Sequence, residues 1–195
     1  MSAGATFDEI RRAPAAELNL CIYPFDYGEE TARAMQDKFD IPYQADIVPI
    51  GFTFNYYGDD HTEVGITSNG YLTFGSDLYN PTNVPIPDIS PPNDLITPMW
   101  DDYKPNWQGH VRYMTLGNEP YRRFIGEWIY MREDDPPHDR CTFQTILHEG
   151  SNEIMFRYWE FPPESYPGDR TAGLENQDGT EGVAIDTMAV EPFDC

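Results

Sequence analysis

Residues 61–75 read HTEVGITSNGYLTFG, and this stretch decides the class of fold. Apolar and polar side chains alternate from Val64 to Ser68, the pair Asn69-Gly70 follows, and residues 71–74 return to an aromatic and β-branched run. An Asn-Gly pair between two such runs is the strongest local signal for a hairpin. We therefore predict a β-hairpin centred on this pair.

Strand-like runs and turns continue on both sides of this hairpin. Runs rich in Val, Ile, Tyr and Phe are separated by Gly, Pro, Asn and Asp. Short strands spaced about 8–12 residues apart, with turn signals between them, are typical of a β-sandwich. We predict an all-β domain, an antiparallel β-sandwich, over residues 47–195. The other predicted strands lie within IVPIGFTFNYYG (47–58), LITPMWDDY (95–103), HVRYMTLG (110–117), YRRFIGEWIYM (121–131), CTFQTILHEG (141–150), NEIMFRYWEF (152–161) and TAGLENQDGTEGVAID (171–186).

The run at 121–131 has large apolar side chains at both odd and even positions. Successive residues of a strand point to opposite faces, so both of its faces are apolar. Such a strand is typically covered on both sides, and we predict a central position for it. The two predicted faces are Phe124, Gly126, Trp128 and Tyr130 on one side and Ile125, Glu127, Ile129 and Met131 on the other.

Residues 1–46 differ from the strand-rich remainder. EETARAMQDKF (29–39) has apolar residues at near-helical spacing and predicts a short helix. We predict that residues 1–46 form a helical N-terminal arm, which packs on the main domain or on a neighbour. The first twenty residues lack a basic segment followed by an apolar stretch, so no secretory signal is visible.

The charge balance excludes some classes of partner. The 195 residues include 34 acidic and 12 basic side chains, for a formal net charge of -22. Nucleic-acid binding requires Lys and Arg to replace the counterions of phosphates, so we predict no nucleic-acid partner. No apolar run approaches the roughly 20 residues needed to cross a bilayer, so we predict no membrane insertion.

Six segments occur in a recognisable order: ITSNGYLTFG, PNDLITPMWDDY, GHVRYMTLG, YRRFIGEWIYM, CTFQTILHEGSNEIMFRY and AGLENQDGTEGVAI. This series, over residues 47–186, resembles a β-sandwich module of large bacterial and archaeal surface proteins. It is also similar to the nidogen-like extracellular domain. The resemblance implies a non-catalytic part of an adhesive, matrix or cell-envelope protein, and no catalytic residue follows from it.

Four aromatic residues fall in predicted loops. Trp107 lies in the polar turn KPNWQG, and Tyr79, Tyr103 and Tyr166 lie in similar segments. An exposed aromatic ring can stack on a sugar or anchor a protein partner. We predict that these four residues bind a partner, with the alternative that they cap the open ends of the sandwich.

Three carboxylates flank the predicted strand at 95–100. Asp94 precedes it, and Asp101 and Asp102 follow it. Ca²⁺ prefers oxygen ligands, so these residues are candidates for a calcium site. The alternative is that they accept hydrogen bonds from backbone N–H groups of the proline-rich segment 76–94.

The three cysteines, Cys21, Cys141 and Cys195, have no zinc-site or redox spacing. An odd number leaves at least one thiol unpaired within the chain. Cys195 is the last residue and is the candidate for an intermolecular disulfide. Cys141 begins a predicted strand, and we expect its thiol to be buried.

We expect a non-enzymatic structural or adhesive surface module. It would contribute to an extracellular, cell-surface or virion assembly through loop and arm contacts with protein partners or with copies of itself. The alternative is a module that binds glycans or proteins and is stabilised by calcium, with no other cofactor. A hydrolase is a third hypothesis, but with 34 acidic residues some carboxylate pairs approach by chance, and no motif selects one.

Overall fold

The computed structural model describes residues 19–24, 45–105, 109–132, 140–160 and 170–185. Within these residues the chain forms eleven β-strands and no helix, so the predicted all-β class is confirmed. The strands are β1 (Asn19–Pro24), β2 (Ala45–Tyr56), β3 (Asp59–Thr67), β4 (Leu72–Thr73), β5 (Leu95–Trp100), β6 (His110–Leu116), β7 (Arg123–Arg132), β8 (Arg140–His148), β9 (Glu153–Glu160), β10 (Thr171–Glu175) and β11 (Gly182–Ala184).

The strands form two sheets with a shared core. One sheet has the order β1-β9-β8-β7-β6 and the other has the order β11-β10-β5-β4-β3-β2. Trp128 Nε1 donates to Thr67 O at 2.7 Å, and Tyr158 Oη donates to Pro98 O at 2.7 Å, so hydrogen bonds join the two sheets across the core. Burying each large apolar side chain in such a core contributes about 1.5–3 kcal/mol. This face-to-face packing is the arrangement of a β-sandwich.

The hairpin predicted from the Asn-Gly pair is present. β3 pairs antiparallel with β4, and Thr67 N donates to Tyr71 O at 3.1 Å across the turn. Gly70 has φ +82, and a Cβ added there would lie 1.9 Å from Met99 O. The turn therefore needs glycine both for its backbone conformation and for its close approach to β5.

Both faces of β7 are buried, as its sequence predicts, and it has a strand on each side. β8 occupies the middle of the sheet, however. The pairing of β7 with β8 also shifts register between Trp128 and Met131, where Tyr130 has φ +50. This bulge turns Met131 into the same core as Trp128 and leaves Tyr130 exposed. The predicted faces were therefore wrong after the bulge, because one extra residue reverses the alternation.

The segment predicted as an arm supplies an edge strand. β1 pairs in parallel with β9, with Asn19 opposite Glu153 and Pro24 opposite Tyr158. All other strand pairs are antiparallel. The helix predicted at 29–39 lies outside the described residues.

The proline-rich segment between β4 and β5 lies on the sheet without strands of its own. Its two ends meet where Phe74 N donates to Asp94 O at 3.1 Å. In its middle, Asn80 N donates to Tyr71 Oη, and Asn80 O accepts from Trp100 Nε1 at 2.9 Å. These bonds hold a long loop in a fixed position.

Candidate functional site

A cleft of about 320 Å³ lies between two turns of the five-stranded sheet. Residues 120–122, at the end of the β6–β7 turn, form one wall, and residues 148–151, at the β8–β9 turn, form the other. We call it the turn-end cleft. Tyr121 is 81 % exposed, which makes its ring the most accessible aromatic surface here.

An ion pair fixes the two walls of the cleft to each other. Arg122 Nε donates to Glu149 Oε2 at 2.8 Å, and Nη2 donates to Oε1 of the same carboxylate. The backbone joins in, because Glu149 N donates to Arg122 O at 2.9 Å. Arg122 also donates from Nη1 to Gly51 O and stacks on the Phe52 ring, 5.8 Å from its centroid. The cleft is therefore built before any ligand arrives.

Two titratable groups of the cleft have shifted pKa values. The hydrogen bonds from Arg122 lower the pKa of Glu149, which keeps it ionised. Burial lowers the pKa of His148, against the opposing effect of Glu153. The imidazole is therefore neutral near pH 7, and its buried Nε2 has no hydrogen-bond partner among the described residues.

A second group of polar residues lies where β2, β5 and β10 end or begin. Asp94 is 6 % exposed and Glu175 is 1 % exposed. Tyr56 lies between them, since its hydroxyl donates to Leu95 O and accepts from Glu175 N at 3.2 Å. Asp59 acts electrostatically on Asp94. We call these four residues the acidic corner.

Burial dominates the electrostatics of the acidic corner. It raises the pKa of Asp94 to about 6, and the nearby Asp59 raises it further. Burial also raises the pKa of Glu175 to about 7, although the N–H of Asp88 donates to its Oε2 at 2.6 Å and opposes that shift. Both acids are thus partly protonated near neutral pH.

The structure separates the aromatic residues predicted to bind a partner. Tyr79 is 46 % exposed on the proline-rich loop. Tyr103 is 1 % exposed and its ring packs against Phe143, so it is part of the core and offers no surface. Trp107 and Tyr166 lie outside the described residues.

The three carboxylates predicted as calcium ligands do not come together. Asp94 lies before β5 while Asp101 and Asp102 lie after it, and six extended residues span about 20 Å. Asp102 accepts from Lys104 Nζ at 2.7 Å, and Asp101 lies 3.7 Å from Arg170 Nε. In the described part of the chain, no group of three or more His, Cys, Asp or Glu is arranged to hold a metal.

Cys141 is buried, as expected, and its Sγ donates to Met131 O at 3.6 Å. Cys195 lies outside the described residues, so its intermolecular disulfide stays a prediction.

Sequence reasoning missed Tyr121, which it assigned to the strand that starts the run YRRFIGEWIYM. The strand begins two residues later, at Arg123. The signal was present in the preceding GNEP (117–120), a cluster of turn residues that keeps Tyr121 outside the sheet.

The fold and the two sites describe an all-β domain built from two facing sheets with functional groups at its turns. The chain belongs to the NIDO-related family, whose sequence pattern matches residues 24–192. This confirms the resemblance to the nidogen-like domain, and the match begins at residue 24 rather than 47. Membership suggests an extracellular-type structural module. In the described residues, no helix has the length and apolar character to cross a membrane.

Two curated proteins are similar over a short stretch, and both are the same polypeptide of light-independent protochlorophyllide reductase. The one from Synechococcus sp. (strain CC9311) is 32 % identical over 65 residues, which is 33 % of this chain and 12 % of that protein. The one from Parasynechococcus marenigrum (strain WH8102) is 30 % identical over 64 residues, covering 32 % of this chain and 12 % of that protein. No solved structure matches.

Proposed function

We propose that the protein is a non-enzymatic structural and adhesive module of an extracellular or virion assembly, in which copies of the chain contact one another. The observation that supports this most directly is the position of β1. It comes from the predicted arm and pairs along the edge of the five-stranded sheet.

An edge strand is a natural site of assembly because its backbone N–H and C=O groups can pair with any extended segment. β1 has one neighbour in its sheet, β9, and six residues are in register with it. Residues 25–44 lie between β1 and β2 in the sequence. We propose that the β1 of one copy occupies the β9 edge of another, which is strand exchange within an assembly.

The arrangement of acids supports a non-enzymatic role. Glu149, Asp101 and Asp102 each lie against a basic side chain. Asp94 and Glu175 are buried. A pair of carboxylates for hydrolysis needs two accessible groups facing a substrate space, and neither set offers one.

Crosslinking tests the proposed exchange. The variant would combine Asn19→Cys and Glu153→Cys, which are opposite each other in the register, with Cys195→Ser to remove the terminal thiol. A short bismaleimide should link the two positions, and we expect the product to run as a dimer or larger species on a denaturing gel. The two single-site variants in the same background are the controls.

A product that is crosslinked only within one chain, together with a monomeric mass by light scattering at all concentrations, would contradict the proposal. Thermal unfolding of the variant before crosslinking would verify that the substitutions leave the domain folded.

A second candidate function is ligand binding, including glycan binding. The turn-end cleft favours it, because the cleft is preformed and presents an exposed aromatic ring beside polar groups. Substituting the exposed Tyr121 and measuring ligand affinity tests this candidate.

A further inference from the structure

We propose that the turn-end cleft binds one neutral sugar ring, which stacks on Tyr121 and hydrogen-bonds to His148 and Ser151. This inference rests on the second candidate function, ligand binding, and names the class of ligand. It does not depend on strand exchange through β1.

The size of the cleft limits the ligand. At about 320 Å³, it is near the lower end of the roughly 300–1,000 Å³ range of small-molecule pockets. Its walls are two short turns, so it has no length along which an extended peptide could pair. A single ring fits this space better than an oligosaccharide or a peptide segment.

The exposed ring supplies the apolar contact. Tyr121 is 81 % exposed, yet its backbone is fixed, since Tyr121 N donates to Asn118 O at 2.8 Å. A sugar ring has one apolar face of C–H groups and a rim of hydroxyls. An aromatic ring on a fixed backbone offers that face a flat surface at little entropic cost.

The polar groups match hydroxyls. His148 Nε2 is buried and has no hydrogen-bond partner in the described part of the chain, and such an atom in a native structure calls for an explanation. A neutral imidazole nitrogen can donate to or accept from a hydroxyl, which itself does both. Ser151 adds a hydroxyl at the opposite wall and donates its backbone N–H to Glu149 O.

The charges of the cleft favour a neutral ligand. Glu149 and Gly51 take up the guanidinium of Arg122, so it offers no open fork to a carboxylate or phosphate. The net charge of -22 also repels anions from the surface. A ligand that brings hydroxyls and no charge avoids both penalties.

The test is a titration of the full chain with methyl glycosides of glucose, galactose, mannose and N-acetylglucosamine, followed by saturation-transfer NMR and calorimetry. We expect at least one to bind with a dissociation constant of about 1 mM, as a single ring in a shallow site allows. Tyr121→Ala should weaken that binding about tenfold. Tyr79→Ala, which removes an exposed tyrosine elsewhere, is the matched control and should bind as the unmodified protein does.

A second variant guards against indirect effects. His148→Gln keeps a polar group in the wall and should weaken binding severalfold without changing thermal unfolding. The corresponding free sugars separate two sources of ligand. Equal binding of free sugar and methyl glycoside means that the anomeric position points outward, as the end of a glycan chain requires, whereas preference for the free sugar indicates a soluble monosaccharide.

Absence of binding by all four glycosides and their free sugars up to about 20 mM would overturn the inference. So would binding that Tyr121→Ala leaves unchanged. Because the crosslinking test reads the β9 edge and this test reads the cleft, either proposal can fail while the other stands.

Discussion

Glu149 and Glu175 are carboxylates at strand ends, and the protein treats them in opposite ways. Glu149, in the turn-end cleft, has the Arg122 guanidinium against it and a lowered pKa. Glu175, in the acidic corner, is buried and accepts from the N–H of Asp88, and its pKa is raised to about 7. With 12 basic residues for 34 acids, cations are scarce. The comparison shows that this chain places a cation at an accessible cleft and stabilises buried acids by partial protonation and N–H bonds.

The two regions also differ in how their turns are packed. Gly179, in the β10–β11 turn beside the acidic corner, has φ +66, and an added Cβ would lie 2.1 Å from Asp88 O. Gly150, in the β8–β9 turn of the cleft, has φ +78, but the nearest atom to an added Cβ is Pro120 O at 3.6 Å. The corner is closed by backbone, while the cleft is open.

The largest expected effect comes from testing this difference in packing. Gly179→Ala should destabilise the domain by about 3 kcal/mol or more, because the methyl group collides with backbone that cannot yield. Gly150→Ala should cost about 1–2 kcal/mol, the strain of the left-handed conformation alone. Urea unfolding of both variants measures the difference, and equal losses would contradict the contrast between a closed and an open turn.

The next effect concerns pH. Burial raises the pKa of Asp94 to about 6 and that of Glu175 to about 7, so the folded state binds these protons more tightly than the unfolded state does. Their contribution to stability is complete below their unfolded values of about 4 and is lost as pH rises through 6 and 7. Between pH 5 and pH 8 we expect the free energy of unfolding to fall by on the order of 3 kcal/mol.

Asp94→Asn combined with Glu175→Gln should remove this dependence. Asn tolerates the φ of +61 found at Asp94, and Gln keeps an oxygen for the N–H of Asp88. Denaturant unfolding at four pH values would compare this variant with Glu149→Gln, which should keep the decline above pH 5. Stability that rises from pH 5 to pH 8 in the unmodified protein would show that the corner does not control it.

A smaller effect separates a buried phenol from an exposed one. Tyr56→Phe removes the donor to Leu95 O and the acceptor for Glu175 N, both buried, and should cost about 1–3 kcal/mol. Tyr121→Phe, which removes a hydroxyl from an exposed ring, should stay within about 0.5 kcal/mol of the unmodified protein. Thermal unfolding of both variants, side by side, makes the measurement, and a similar loss at Tyr121 would mean that the cleft wall is more tightly packed than described.

The smallest effect is at the ion pair of the cleft. Glu149→Gln should lower the melting temperature by a few degrees at low salt and by less at high salt, because salt screens a partly exposed pair. The unmodified protein should lose stability with salt while the variant does not. Identical salt dependence in both would show that the backbone bonds between the two turns suffice.

Local patterns predicted the strands of this fold well because alternation and turn residues are local properties. The Asn-Gly hairpin, β5 and the β8–β9 hairpin all follow from runs of fewer than a dozen residues. The bulge in β7 did not, because nothing in RFIGEWIYMR marks the extra residue that turns Met131 inward. Both outcomes depend on how far apart in sequence the deciding contact lies.

The sites were harder to predict for that reason. Tyr103 is buried by Phe143, forty residues away, and Arg122 meets Glu149 across 27 residues. A sequence pattern shows that a residue is aromatic or acidic and follows a strand. It does not show which distant side chain will cover or neutralise it, and so a calcium site was predicted where cations already occupy Asp101 and Asp102.

The pairing of β1 with β9 also sets a timetable. Cys21 lies opposite Met155, so β1 leaves the ribosome early and its partner follows more than a hundred residues later. At about 5–20 residues per second, that delay is on the order of ten seconds. During this interval the β9 of the same chain has not yet been made. On polysomes, where finished copies are close by, the order of synthesis itself gives a neighbour's β9 edge the first opportunity to bind a nascent β1.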